Sequence, residues 1–93
     1  MRTIEETTRF RRDYKREKKG VHGGKLAAQL ATVLAYLIDD APLPTKFRDH
    51  PLTGPWHDFR DCHVRPDLVL IYRKPTPRLL QLVRLGSHSE LGL

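Results

Sequence analysis

The chain has 93 residues, 39% hydrophobic and 30% charged, which reads as one small globular domain and excludes a disordered segment or a membrane bundle. Lysine and arginine total 17 against 11 acidic residues, and the net charge of +6 favours a polyanion or an acidic protein as partner. Cys62 is the single cysteine, so no internal disulfide can form; a reducing cytoplasm is expected, and the acidic start Met1-Arg2-Thr3-Ile4-Glu5-Glu6 is unlike a secretory leader.

Arg2 to Glu5 reads as a short first strand. Thr7 or Thr8 can N-cap a helix running to about Lys19, where Gly20 stops it. Phe10 and Tyr14 mark its buried stripe, and Arg9, Arg11, Arg12, Lys15, Arg16, Lys18 and Lys19 give it a basic surface. Such a surface is either a solvated face or a set of phosphate contacts. Gly23 and Gly24 turn the chain into a second helix, Lys25 to Asp39, whose Leu26, Leu30, Val33, Leu34, Leu37 and Ile38 follow helical spacing. That face is core, and the segment is too short and amphipathic to span a bilayer. Pro42 and Pro44 end the helix and open a loop through Pro55.

The period then changes. Trp56 to Val64 reads as a strand and Arg65-Pro66 as a turn. Leu68-Val69-Leu70-Ile71-Tyr72 is the continuous apolar run of a central strand covered on both faces. After a turn at Pro75-Thr76-Pro77, Arg78 to Leu85 forms a last strand, and Gly86 releases a short tail. The order β-α-α-β-β-β predicts an α+β domain over residues 1–93, a mostly antiparallel sheet with a helical hairpin on one face. Alternation puts Phe59, Asp61 and His63 on one face of their strand and Cys62 and Val64 on the other. A concave surface would then collect His63, Asp67, Arg84 and His88, with His50 arriving from the long loop.

Histidine changes charge near neutral pH, so clustered histidines beside surplus cations suit proton transfer on RNA. Each residue also has a plainer reading. His88 near the end of the chain could be an idle surface histidine, Asp67 a turn residue, and Arg84 a strand-edge charge. Asp61 could merely pair with Arg60, and Cys62, Trp56, Phe59 and Tyr72 read as packing residues. His57 and His22 read as surface residues.

At Asp49-His50-Pro51-Leu52, Gly54, Trp56, Arg60-Asp61, His63-Val64, Pro66-Asp67, Leu70-Ile71-Tyr72, Arg84, Gly86 and His88 the chain resembles bacterial toxins of the RelE superfamily, most closely the YafQ branch. The motifs cover the whole second half; the first half matches in its helical layout. The resemblance implies a RelE-like fold and a metal-independent, cofactor-free endoribonuclease that cuts mRNA in the A site of the 70S ribosome. Its products would be a 2′,3′-cyclic phosphate and a 5′-hydroxyl. It implies His88 as general acid, and Asp67, His50 and His63 as the base and its orienting groups, unranked. Arg84 would bind the scissile phosphate and Asp61 would position RNA, with Arg60 as a further contact; the basic surface of the first helix, Arg11, Arg12, Lys15, Lys18 and Lys19, is expected by its charge to meet RNA phosphates. A DinJ- or RelB-type antitoxin would silence the toxin, and the pair would bind operator DNA through the antitoxin. Where close relatives carry an aromatic residue after the final histidine, this chain has Leu91. Two other readings are a non-catalytic ParE-like gyrase poison, which lacks such histidines, and a zinc protein using His50, His63, Asp67 and His88, without the usual paired-ligand spacing.

Overall fold

A computed structural model describes residues 1–21 and 23–93, so His22 lies outside the described residues. Strand β1, Thr3–Glu6, leads into helix α1, Thr8–Lys18, whose N-cap Thr7 accepts from the Phe10 amide. Helix α2, Gly23–Ile38, buries Leu26, Leu30, Val33 and Leu37. The two helices meet closely because residue 23 is glycine: a Cβ there would stand 1.8 Å from the Lys18 carbonyl oxygen.

Four further strands complete the sheet: β2, His50–Pro51; β3, Arg60–Arg65; β4, Leu68–Arg73; and β5, Leu79–Gly86. Their order is β1-β5-β4-β3-β2, with β1 parallel to β5 and every other pair antiparallel. The helical hairpin covers one face, where Phe10, Leu26, Val33, Cys62, Leu70, Tyr72, Leu80 and Leu85 form the main core. The other face is smaller. Val69 and Ile71 pack there against Leu91, Leu52, Trp56, Phe59 and Val83. Central strand β4 is therefore buried on both sides, as its unbroken apolar run requires.

Three sequence expectations change. The strand expected from Trp56 starts at Arg60, because Gly54–Trp56 forms a 3-10 turn with Gly54 at φ +64° and Phe59 folds back to pack edge-on against Trp56 at 5.2 Å. The loop expected through Pro55 contains β2. The tail after Gly86 is a short helix α3, His88–Leu91, opened by Ser87 and closed by left-handed Gly92.

One edge of the sheet is finished by side chains. Strand β1 covers β5 only as far as Leu82. Beyond that point the backbone of Val83 and Leu85 would be bare, and α1 supplies the partners. Thr7 Oγ1 donates to the Val83 carbonyl at 2.8 Å, Asp13 Oδ2 accepts from the Leu85 amide at 3.0 Å, and Arg16 Nη2 donates to the Leu85 carbonyl at 3.0 Å. These polar groups hold the first helix against the last strand.

Candidate active site

Strand register builds the centre of the site. Pairing of β2 with β3 sets His50 opposite Asp61. Asp61 is 2% exposed, and its Oδ1 lies 3.0 Å from His50 Nδ1. The same Nδ1 contacts the Arg48 carbonyl at 2.8 Å. A carbonyl can only accept, so the proton is assigned to Nδ1 in neutral His50, which leaves the Nε2 lone pair free to act as a base. Burial pushes the Asp61 carboxyl above its ordinary value, while His50, His63 and His88 pull it back.

His63, two residues along β3, is half-buried, and its ring centroid stands 5.0 Å from that of His88. Desolvation and then the neighbouring His88 lower its pKa below 6.5, against the pull of Asp61 and a backbone hydrogen bond at Pro66. His63 is thus held toward its neutral form. His88 itself is exposed at the first position of α3. Three histidines therefore surround one buried carboxylate.

The loop before His50 is also anchored. Asp49 receives Arg60 Nη2 at 3.1 Å and Nε at 3.3 Å, and the buried Tyr72 hydroxyl donates to it. The histidines stand between two concavities of about 420 Å³ each. One is lined by Lys46, Arg48, His63 and Pro66 and is cationic. The other carries Leu52, Trp56 and Leu93 on its walls beside His50, Asp61 and His88. Lys46 and Arg48 were not singled out by sequence; their signal was only two cations in the segment leading to Asp49-His50.

Other expected site residues are placed differently. Asp61 is almost wholly buried at the wall of the concavity it shares with His50 and His88, and His50 stands 3.0 Å from it, so its expected part in placing RNA would run through that histidine. Asp67 stands on the exposed β3–β4 turn, 3.7 Å from Arg65. The Arg84 guanidinium is turned to α1, where Asp13 accepts from Nε at 2.7 Å and Nη2 at 3.3 Å. Arg84 pairs with Ile71 and so stands on the same sheet face as Asp61, but Asp13 holds its guanidinium at the β5 edge, and His88 lies past the strand's end at Gly86. Arg60 is committed to Asp49, with its side chain 42% exposed. Arg11, Arg12, Lys15, Lys18 and Lys19 are exposed on α1, whereas Arg16 is engaged by Asp13 and the Leu85 carbonyl. Leu91 is buried in the small core, so this position offers no stacking surface. Burial raises the Cys62 thiol far above its usual range, as suits a packing residue.

Residues 2–92 match the family model described as the bacterial toxin of the type II toxin–antitoxin system, YafQ. The chain belongs to the YafQ family. It is 39% identical over 90 residues to the mRNA interferase toxin YafQ of Escherichia coli K12, covering 97% of this chain and 95% of that protein. The crystal structure of YafQ from E. coli BL21(DE3) superposes with a TM-score of 0.83 at 37% identity over 98% of both chains. YafQ in the E. coli DinJ–YafQ complex gives 0.78 at 35% identity over 98% of both. A metal-bound toxin from Helicobacter pylori gives 0.81 at 42% identity, covering 98% of this chain and 99% of that one. The α+β fold expected from the sequence is the fold of these YafQ structures. Among the described residues, no group of three or more His, Cys, Asp or Glu is arranged to hold a metal ion. No described helix is long and apolar enough to cross a membrane.

Proposed function

We propose that this YafQ-family chain is a cytoplasmic endoribonuclease toxin that cuts mRNA on the ribosome by histidine acid–base chemistry, and that a DinJ-type antitoxin silences it. The observation that carries this reading is the set of three histidines around buried Asp61 in a relative of named mRNA interferases. His50 Nε2 takes the proton of the ribose 2′-hydroxyl as its oxygen attacks the adjacent phosphorus. The bond from phosphorus to the 5′-oxygen breaks, and protonated His88 gives that oxygen its proton. A 2′,3′-cyclic phosphate and a 5′-hydroxyl result, and exchange with water resets both imidazoles. Asp61 orients His50 and stabilises it once charged, and neutral His63 confines the acid role to its neighbour. The cations Lys46 and Arg48 beside His63 offset the charge gathering on phosphorus, while Arg84, its charge met by Asp13, braces the strand behind them. Asp67, a candidate for the base by resemblance, stands on its exposed turn beside Arg65 and takes no step in this scheme. The exposed cations of α1 meet RNA phosphates, and operator DNA is bound through the antitoxin.

The experiment is expression in bacteria followed by mapping of mRNA ends. New ends should fall in frame within translated messages and vanish when initiation is blocked. Ends distributed without regard to frame or translation would overturn ribosome dependence. A second reading is favoured by the metal-bound Helicobacter relative. Imidazole is a ligand for borderline transition ions, but among the described residues His50, His63 and His88 are not arranged around one ion position. Metal analysis of the purified protein separates the two, because stoichiometric metal needed for cleavage would favour that reading.

A further inference from the structure

We propose that Glu90 and Arg16 together are positioning residues for His88, a latch that fixes its short helix to α1. The inference rests on the reading of His88 as general acid. Helix α3 spans only His88–Leu91, and a helix this short has no stability of its own, so its anchors decide where the imidazole points. Two anchors lie within the segment. Leu91 is buried against Val69 and Ile71. Ser87 and Glu90 form a capping box, with the Glu90 amide donating to Ser87 Oγ at 3.1 Å and the Ser87 amide donating to Glu90 Oε1 at 2.8 Å.

The third anchor leaves the segment. Glu90 Oε2 lies 3.2 Å from Arg16 Nε on α1. The two carboxylate oxygens thus do separate things: one caps the helix, the other reaches across the end of the sheet. Arg16 is itself fixed, with Nη1 3.1 Å from buried Asp13 and Nη2 3.0 Å from the Leu85 carbonyl. Residue 86 shows how closely these parts sit. A Cβ there would meet Arg16 Nη2 at 3.0 Å and Glu90 Oε1 at 3.2 Å, so the pair lies directly over the strand end and any larger residue would push it aside by a few tenths of an ångström. A continuous polar chain therefore runs from Asp13 through Arg16, Glu90 and Ser87 to the residue bearing the acid.

Arg16 and Glu90 side chains are each roughly two-fifths exposed. An ion pair so exposed adds little to global stability, so its consequence is geometric. Misplacing a reacting group by about 1 Å can cost about 10²-fold in rate. Glu90→Ala should lower kcat on programmed ribosomes by about 10- to 100-fold with KM and Tm little changed, and Arg16→Met should lower kcat as far while also lowering Tm, because it takes a partner from buried Asp13 and from the Leu85 carbonyl. The double variant should be no slower than the worse single one, because both break one link. Glu90→Gln keeps an acceptor for the Ser87 amide and loses the charge facing Arg16, so its kcat should fall between wild type and Glu90→Ala. Amide exchange at Leu91 and Gly92, read by NMR, should accelerate in step with the loss of kcat. Wild-type kcat and wild-type exchange in both single variants would overturn the latch. His88→Ala separates this from the underlying reading. If His88→Ala cuts normally while Glu90→Ala loosens α3, the acid assignment falls and the latch stands. If His88→Ala is inactive while Glu90→Ala and Arg16→Met cut normally, the latch falls alone.

Discussion

Asp13→Ala removes a carboxylate that is 3% exposed and bonded to three partners: Arg84, Arg16 and the Leu85 amide. The Leu85 amide would be left without an acceptor inside the protein, which costs about 1–3 kcal/mol. Removing one member of a buried ion pair costs about 3–5 kcal/mol. Arg84 keeps 16% exposure and Arg16 keeps Glu90 and Glu17, so water and these partners recover part of that. The net loss should be about 3 kcal/mol, which for a domain of this size lowers Tm by roughly 12–24 °C. Asp13→Asn retains one acceptor oxygen and should lose about half as much. The pH dependence gives an independent sign. Burial alone would raise the Asp13 carboxyl, but Arg84, the Leu85 amide and Arg16 hold it below 3.8. A group depressed on folding stabilises the fold above its unfolded value and loses that contribution as pH falls through its folded value. The gap in urea midpoint between wild type and Asp13→Asn should therefore be full at pH 6 and shrink on acidification below 3.8. Equal midpoints at pH 6, or a gap that widens in acid, would show that ionised Asp13 does not hold this sheet edge.

His88→Ala should leave the fold intact and lower cleavage of programmed ribosomes by about 10²–10⁴-fold, as expected for loss of a general acid; near-normal cutting would remove His88 from the mechanism. NMR titration should place the His63 midpoint below 6.5, and His88→Gln should raise it by removing a like charge 5.0 Å away. Because this depressed histidine favours the neutral fold, it contributes stability above 6.5 that is lost as pH falls through its folded value. Ribosome binding should weaken with salt, and reversing Arg12 and Lys15 to Glu should flatten that dependence by about one unit per lost phosphate contact. Salt-insensitive binding would return α1 to an ordinary solvated face.

Periodicity made most of the fold legible. The apolar spacing of α2 marks its buried face, and the unbroken run of β4 marks a strand covered on both sides. What escaped was decided by single contacts. Helix α3 had a signal, Ser87 followed three residues later by Glu90, but no apolar run followed to mark it as a helix start. Asp13 had one too: it shares the inward stripe of Phe10 and Tyr14, where an acid needs a partner. The partner, the open edge of β5, exists only once β1 has stopped at Glu6 opposite Leu82. Asp61 was found as a site residue, but not what it touches. Strand alternation put it with His63, and only the pairing of β2 showed that it lies buried against His50. Arg84 was expected on one surface with His88; its strand position does face that way, opposite Ile71, but buried Asp13 draws the guanidinium to α1.

The claim that histidine acid–base chemistry on the ribosome is the activity is tested most directly with purified protein. The measurement is the rate of mRNA cleavage, with and without ribosomes, in excess EDTA, together with the chemistry of the new 3′ end. Programmed ribosomes should be cut at full rate in EDTA, the product should carry a 2′,3′-cyclic phosphate, and free RNA should be cut little. The last point follows because an in-line 2′-hydroxyl is a rare conformer that a chain of 93 residues has little surface to impose alone. Efficient cutting of free RNA, a product with a 3′-hydroxyl, or activity lost to EDTA and restored by metal would contradict histidine acid–base chemistry on the ribosome.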